Sequence, residues 1–167
     1  IASGGASWYD SADDWLGMWE RVRRGPVLFA AGEGRAGTKS RVRAWSSFHL
    51  EGERTSNFYL ADPVPHPTEE DTTAFIEAIL QMCPDGVELV VIDTVARSMQ
   101  GLNENAQQDV SQFTLLVQTL QQELGCAVLA LHHTGHENKS RARGGSGFYA
   151  DVDCEFVLEP LSKTGKR

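Results

Sequence analysis

The sequence predicts an α/β fold, a three-layer sandwich in which helices cover both faces of a mostly parallel sheet. Residues 88–93 (ELVVID) and 127–132 (AVLALH) are continuous apolar runs without polar alternation, which is typical of strands buried on both faces. The segment between these runs repeats its apolar residues at helical spacing. Strands that alternate with helices imply right-handed crossovers and therefore a parallel sheet.

Three shorter segments also have the character of strands, which brings the predicted number to five. They are residues 27–31 (VLFAA), 57–60 (NFYL) and 154–159 (CEFVLE).

Four segments have the apolar spacing or the boundary signals of helices. They are residues 11–21, 38–50, 68–82 and 107–124. For the last of them, Asn105 is the predicted cap and Gly125 the stop signal. At the start of the third, Thr68 and Asp71 resemble a capping box in which aspartate replaces the usual glutamate.

Length and composition favour a single domain spanning residues 1–167, of which 41% are hydrophobic. No apolar run approaches the length that crosses a bilayer, and residues 1–5 lack the features of a secretory signal. We therefore expect a soluble, cytoplasmic protein. Cys83, Cys126 and Cys154 are widely spaced in apolar surroundings, so buried free thiols are expected and not a disulfide framework.

The net charge of −8 argues against non-specific binding of nucleic acid by the surface as a whole. Basic residues nevertheless outnumber acidic ones in residues 32–43, 134–150 and 161–167. Such patches on an acidic body suit local contacts with anions. They are equally consistent with solubilising surface charge.

Polar residues end the predicted strands, at the edge where parallel sheets bind their ligands. Residues 88–93 are an apolar strand that ends in the carboxylate of Asp93 and is followed by the hydroxyl of Thr94. This is the form of a Walker B element, whose carboxylate holds the water shell of a nucleotide-bound magnesium ion. The same pattern also fits an aspartate that only caps the following turn.

Two other strand ends carry groups that are suited to phosphate chemistry. Glu33 follows residues 27–31 and lies between two glycines, a setting in which a carboxylate can orient and deprotonate water. An ordinary glycine-rich turn with a solvated acid would look the same. His132 and His133 end the strand at 127–132, and a neutral imidazole there can sense a phosphate by hydrogen bonding.

Five blocks in one order resemble the RecA-like P-loop motor ATPases, and within them the RepA-type replicative helicases. The blocks are RRGPVLFAAGEG at 23–34, RVRAW at 41–45, LVVIDTVARS at 89–98, VLALHHTG at 128–135 and RGGSGFYADVD at 143–153. The resemblance covers nearly the whole chain. It implies a RecA-like sheet and the hydrolysis of ATP with Mg²⁺.

The resemblance also implies roles for individual residues. Glu33 matches the catalytic glutamate of the family, and Asp93 matches its Walker B aspartate. His133 takes the place of the residue that senses the γ-phosphate. Arg143 matches the arginine that reaches the nucleotide of a neighbouring subunit.

Partners follow from the same resemblance. Residues 97–109 and 134–146 correspond to the two loops that face single-stranded DNA in the central channel of a ring. The parent function is therefore ATP hydrolysis in a helicase or recombinase-like homo-oligomer.

One element of the family pattern is missing from these 167 residues. The phosphate-binding P-loop, G-x-x-x-x-G-K-[ST], should precede the first strand, and residues 1–26 contain nothing like it. We therefore expect a partial ATPase domain without its central P-loop strand, inactive by itself. Residues 32–40 (GEGRAGTKS) are an imperfect alternative, because Thr38 displaces Lys39 by one position.

The resemblance also predicts the order of the strands. It places 57–60 beside 27–31, then 88–93, then 127–132, and then the gap left by the P-loop strand. A bare strand edge invites another strand to pair with it. We therefore predict that residues 154–159, of the same chain or a partner chain, occupy the free edge of residues 127–132.

Two readings from other functional classes remain open. His132, His133, His136 and Glu137 would suggest a zinc hydrolase, although adjacent residues at a strand end point to opposite faces. The second reading is a non-catalytic RecA-fold module that serves in assembly or DNA contact.

Overall fold

The structure is a computed structural model that describes residues 25–52, 57–133, 148 and 151–158. Within these residues, strands and helices alternate along the chain. The elements are β1 (Val27–Ala31), α1 (Arg35–His49), β2 (Phe58–Ala61), α2 (Glu69–Met82), β3 (Leu89–Asp93), α3 (Val95–Ser98), α4 (Gln107–Leu124) and β4 (Ala127–Leu131). No helix in the described ranges has both the length and the apolar character needed to span a membrane.

The four strands form one parallel sheet in the order β2-β1-β3-β4. This order is the one predicted from the sequence for these strands. Ala31 of β1 pairs with Asp93 of β3, which in turn pairs with Leu131 of β4. The carboxyl ends of three neighbouring strands therefore lie side by side at one edge of the sheet, which we call the carboxyl edge.

Helices α2 and α4 pack together against one face of the sheet. The side chains of Leu28, Val90 and Ile92 on that face meet Ile79 of α2 and Leu120 of α4, and all five are almost fully buried. The chain steps across the sheet in one direction from β1 through α1 to β2, and in the opposite direction through α2 to β3 and through α4 to β4. Because such crossovers are right-handed, α1 covers the face of the sheet opposite to α2 and α4. The three-layer α/β prediction is confirmed.

Helix boundaries differ from the sequence prediction where backbone geometry decides them. Helix α1 begins at Arg35 because Gly34, in the left-handed region at φ 59°, turns the chain directly into the helix. Helix α4 has Ala106 as its N-cap, with no side-chain cap, so the prediction of Asn105 is wrong. Gly125 ends this helix in the left-handed conformation, as predicted.

The predicted capping box of α2 is half formed. The Oγ1 atom of Thr68 accepts a 3.2 Å hydrogen bond from the amide of Asp71. The amide of Thr68 donates to the carbonyl of His66, however, and not to the carboxylate of Asp71. The shorter aspartate thus provides charge in the first turn without closing the reciprocal bond of the box.

The fifth predicted strand does not form. Residues 154–158 have no strand structure, and Phe156 and Leu158 are 72% and 92% exposed; Glu159 lies outside the described residues. Within the described part of the chain β4 pairs with β3 alone, and its residues Leu129 and Leu131 are 41% and 37% exposed. An apolar run specifies a strand only when a partner satisfies its backbone. The expectation that this segment covers β4 within one chain is therefore wrong, and pairing between chains stays a prediction.

The cysteines divide by location. Cys83 and Cys126 are buried free thiols, as expected, and burial raises the pKa of both. Cys154 is also free but exposed, because residues 154–158 form no strand and are not packed into the sheet.

Candidate functional site

Glu33 and Asp93 lie at the carboxyl edge on neighbouring strands. Asp93 is the last residue of β3, and Glu33 lies two positions after the end of β1. The amide of Gly32 donates a 2.6 Å hydrogen bond to the carbonyl of Asp93, which continues the pairing of β1 with β3 beyond Ala31. The structure therefore brings together the two carboxylates that the sequence singled out.

The electrostatic environment of Asp93 shows which charges face it. Burial of its carboxyl group raises the pKa of Asp93, and the nearby negative charge of Glu33 raises it further. The positive charges of His133 and Arg41 act in the opposite direction and lower this pKa. The charges of His133 and of Arg41 in α1 therefore reach the carboxyl group of Asp93, while the phosphate-sensing role implied for His133 stays a prediction.

Thr94 follows Asp93 directly in the chain. The residue is 3% exposed, and its Oγ1 atom is buried without a hydrogen-bond partner among the residues that the structure describes. The peptide bond between Asp93 and Thr94 is cis. A buried hydroxyl normally has a partner, so an unsatisfied one beside a carboxylate provides a place for a ligand or an ordered water.

The donor set at this edge fits a magnesium ion with its water shell. Mg²⁺ prefers oxygen ligands, keeps several waters and is usually held through one or two carboxylates together with substrate phosphates. Asp93 and Glu33 supply carboxylate oxygens, and Thr94 supplies a hydroxyl. The residues present are therefore suited to Mg²⁺ that arrives with a nucleotide.

Glu33 is held by Arg97, which the sequence reading missed. The Nε atom of Arg97 donates a 3.1 Å hydrogen bond to Oε1 of Glu33. Arg97 lies within the short helix α3 directly after the tip of β3. The two side chains are about half exposed, so solvent reaches this ion pair.

His132 and His133 occupy different environments. The side chain of His132 is only 13% exposed, and its Nε2 atom lies 3.8 Å from Oε2 of Glu104. Its ring packs edge-on against the ring of Phe148, with 5.0 Å between the two ring centroids. His133 is exposed. The described residues contain no group of three potential metal ligands, and His136 and Glu137 lie outside them. Nothing in the described part supports the zinc-hydrolase reading.

A family model described as an AAA domain matches residues 3–139 and so covers both carboxylate-bearing strand ends. The chain belongs to the AAA domain family. Members are AAA-type P-loop ATPases, which generally use ATP and Mg²⁺. A comparison with curated proteins found no match.

The fold of this AAA domain argues against the imperfect P-loop at residues 32–40. Only residues 32–34 connect β1 to α1, which is too short to wrap around a phosphate. Thr38 is buried against the domain, whereas Lys39 is exposed on another side of α1. The lysine is therefore not directed at the group formed by Glu33 and Asp93.

One further strand end in this AAA domain carries an acid that the sequence reading passed over. Asp62 follows β2 directly, and its carboxylate accepts a 2.7 Å hydrogen bond from Nη1 of Arg35. The rule that polar residues mark strand ends would have found Asp62.

Arg143 and residues 134–146 lie outside the described residues. The role implied for Arg143 and the proposed nucleic-acid contact of that loop stay predictions.

Proposed function

We propose that this AAA domain supplies the water-activating and magnesium-positioning part of an ATPase site in a DNA-handling motor, a helicase or recombinase-like assembly. The observation that carries the proposal is the juxtaposition of Glu33 and Asp93 at the carboxyl edge, together with the buried hydroxyl of Thr94, the residue next to Asp93. Membership of the AAA domain family supports ATP as the nucleotide.

Each residue has a distinct task in this proposal. Glu33 accepts a hydrogen bond from the attacking water and takes its proton as the water oxygen bonds to the γ-phosphorus, while the bond from that phosphorus to the β–γ bridging oxygen breaks and ADP leaves. Asp93 and Thr94 would hold waters in the shell of Mg²⁺, which when bound would neutralise charge on the phosphates. In this proposal both functions act on one phosphate group at the shared edge.

Two further residues would stabilise the charge that develops on the transferred phosphoryl group. The charge of His133 acts on the carboxyl group of Asp93, and in this proposal its ring donates a hydrogen bond to the γ-phosphate. Arg143 would act on the nucleotide of a neighbouring subunit in a homo-oligomer, the arrangement implied by the resemblance to RecA-like motors. Catalytic turnover at this site also requires a P-loop that binds the phosphates of the nucleotide.

The location of residues 97–109 supports a connection between hydrolysis and DNA. This segment begins at Arg97, the residue bonded to Glu33, so a ligand on the segment would act one side chain away from the catalytic carboxylate. Single-stranded DNA is the partner that the resemblance to RecA-like helicases implies. A non-catalytic module for assembly or DNA contact is the competing function.

Steady-state ATP hydrolysis by the protein expressed from its complete gene tests the proposal. Glu33→Gln keeps the shape of the side chain but removes the base, so we expect kcat to fall by about 10²- to 10⁴-fold. Binding of ATP should be retained. Glu123→Gln is the matched control, because Glu123 is an exposed acid at the end of α4, on the opposite edge of the sheet.

The outcomes separate the two functions. Loss of hydrolysis in Glu33→Gln alone, with stimulation of the wild type by single-stranded DNA, supports the motor. A wild-type protein that binds DNA or assembles but never hydrolyses ATP would support the non-catalytic module instead.

A further inference from the structure

We propose that Arg97 is a positioning residue for Glu33: it fixes the carboxylate so that one oxygen is held and the other faces the attacking water. The inference rests on the proposed function, because it concerns the same site. It goes beyond that function in assigning a task to Arg97, which lies in the block at 89–98 but has no role of its own in the proposed function.

The ion pair leaves Glu33 chemically available. A carboxylate has two oxygens and about four positions at which it can accept a hydrogen bond. Arg97 uses one of these, on Oε1, at 3.1 Å. Because Oε2 is not engaged by this bond, the arginine restricts the rotation of the carboxylate without blocking it.

Arg97 can orient Glu33 because its own backbone is fixed. Its amide donates a 3.1 Å hydrogen bond to the carbonyl of Thr94, at the base of α3. The neighbouring Ser98 is fully buried, and its Oγ atom donates a hydrogen bond to the carbonyl of Pro65. A guanidinium on this anchored turn needs to order only its side chain to hold Glu33.

Gly32 permits the close approach on which this contact depends. A Cβ atom at position 32 would lie 2.8 Å from Cβ of Arg97 and 3.0 Å from the carbonyl oxygen of Asp93. The first distance is shorter than real Cβ contacts, so any larger residue must displace the stem of Arg97. The glycine before Glu33 therefore makes room for the arginine that holds Glu33.

Electrostatics give a second reason for a cation at this position. Glu33 and Asp93 are carboxylates at the ends of two neighbouring strands, and like charges at one edge of the sheet repel each other. The positive charge of Arg97 lies beside Glu33 and attracts it. This attraction opposes the repulsion by Asp93 and so stabilises Glu33 at the carboxyl edge. The pair is about half exposed, so solvent weakens it and the effect should be moderate.

The contact itself can be tested without any catalysis. In the 167-residue chain, the NMR signal of the Arg97 Nε–H group should shift in Glu33→Gln and stay in place in the control Glu123→Gln. If the chemical shift of the Arg97 Nε–H group is the same in Glu33→Gln as in the wild type, the ion pair does not exist in solution and the proposal is overturned.

The catalytic role needs the protein expressed from its complete gene. Arg97→Gln should lower kcat about threefold to tenfold while KM for ATP changes less than twofold, since the loss concerns orientation and not binding. Arg97→Lys, which keeps the charge without the planar fork, should recover part of the rate. A kcat for Arg97→Gln equal to that of the wild type would overturn the proposal.

A double-mutant comparison separates positioning from a merely structural effect. Gly32→Ala should reduce kcat as Arg97→Gln does, and the double variant should be no slower than the worse single variant. Gly37→Ala is the control, since a Cβ there meets nothing closer than 3.8 Å. Effects that multiply would contradict a shared cause. Thermal unfolding shows whether each variant folds. If Gly32→Ala does not fold, the kcat of Arg97→Gln alone tests the proposal.

Failure of this inference is distinguishable from failure of the proposed function. If Glu33→Gln abolishes hydrolysis while Arg97→Gln does not affect it, only the positioning role is lost. If the wild type has no ATPase activity, both fall, even if the NMR experiment detects the ion pair.

Discussion

The amide of Gly32 donates a 2.6 Å hydrogen bond to the backbone carbonyl of Asp93, one step beyond the last paired residues of β1 and β3. This bond extends the ladder into the loop that carries Glu33. The catalytic candidate on one strand is therefore fixed relative to the magnesium candidate on the next by backbone contacts. Rigid elements of this kind hold a functional group more precisely than a free loop does.

The 167-residue chain by itself should bind ATP weakly and show no measurable hydrolysis. It contains no G-x-x-x-x-G-K-[ST] motif, and Lys39 is an exposed residue of α1, one position after the buried Thr38. Calorimetric titration with ATP and Mg²⁺ measures the affinity. Tight binding that disappears in Lys39→Ala but survives in the control Arg43→Ala would instead establish residues 32–40 as a phosphate-binding loop.

Asp93→Asn should stabilise the fold at neutral pH. Burial first, and the charge of Glu33 second, raise the pKa of Asp93, so the folded chain holds this proton more tightly than the unfolded chain. The contribution of Asp93 to the free energy of unfolding is therefore largest when the pH is below the ordinary pKa of an aspartate. This contribution is lost as the pH rises through the raised pKa of Asp93 in the folded chain. Asparagine cannot ionise and avoids that loss.

Thermal unfolding between acidic and neutral pH measures this effect. The melting temperature of Asp93→Asn should exceed that of the wild type at neutral pH, and the difference should shrink as the pH falls below the ordinary aspartate range. Asp85→Asn, in an exposed turn, is the control. A variant less stable than the wild type at neutral pH would show that the ionised Asp93 makes a stabilising contact.

The packing of α4 on the sheet predicts unequal effects along one helix. Leu120 is fully buried in the core, whereas Leu115 on the same helix is 62% exposed. Leu120→Ala should lower the free energy of unfolding by about 2–5 kcal/mol because it leaves a cavity. Leu115→Ala should change it by no more than about 0.5 kcal/mol. Urea unfolding provides both values, and equal losses would contradict the orientation of α4.

The sheet was predictable because its central strands are apolar on both faces. Residues 27–31 became β1 with the predicted bounds, and the strand predicted at 88–93 begins one residue later, at Leu89, and ends at Asp93 as predicted. Residues 154–159 show the limit of this reasoning. Their apolar pattern resembles a strand, but strand formation requires a partner edge, and local sequence does not specify which edge is available.

The residues of the candidate site that follow strands were predictable, and its two arginines were not. Strand ends point to Glu33, Asp93 and His133 because polar residues stand out after apolar runs. Arg97 and Arg41 reach the same edge from helices, where an exposed arginine is unremarkable in sequence. Their contribution depends on how α3 and α1 lie against the strand ends, and that is a property of the folded chain.

The most direct test is a crystal structure of the protein expressed from its complete gene, bound to ADP, Mg²⁺ and aluminium fluoride as an analogue of the transition state. We predict a Mg²⁺ ion whose bound waters contact Asp93, and an attacking water within hydrogen-bond distance of Glu33 on the opposite side of the fluoride. A nucleotide bound away from the carboxyl edge, or a complex in which Glu33 faces no water, would contradict the assignment of this site.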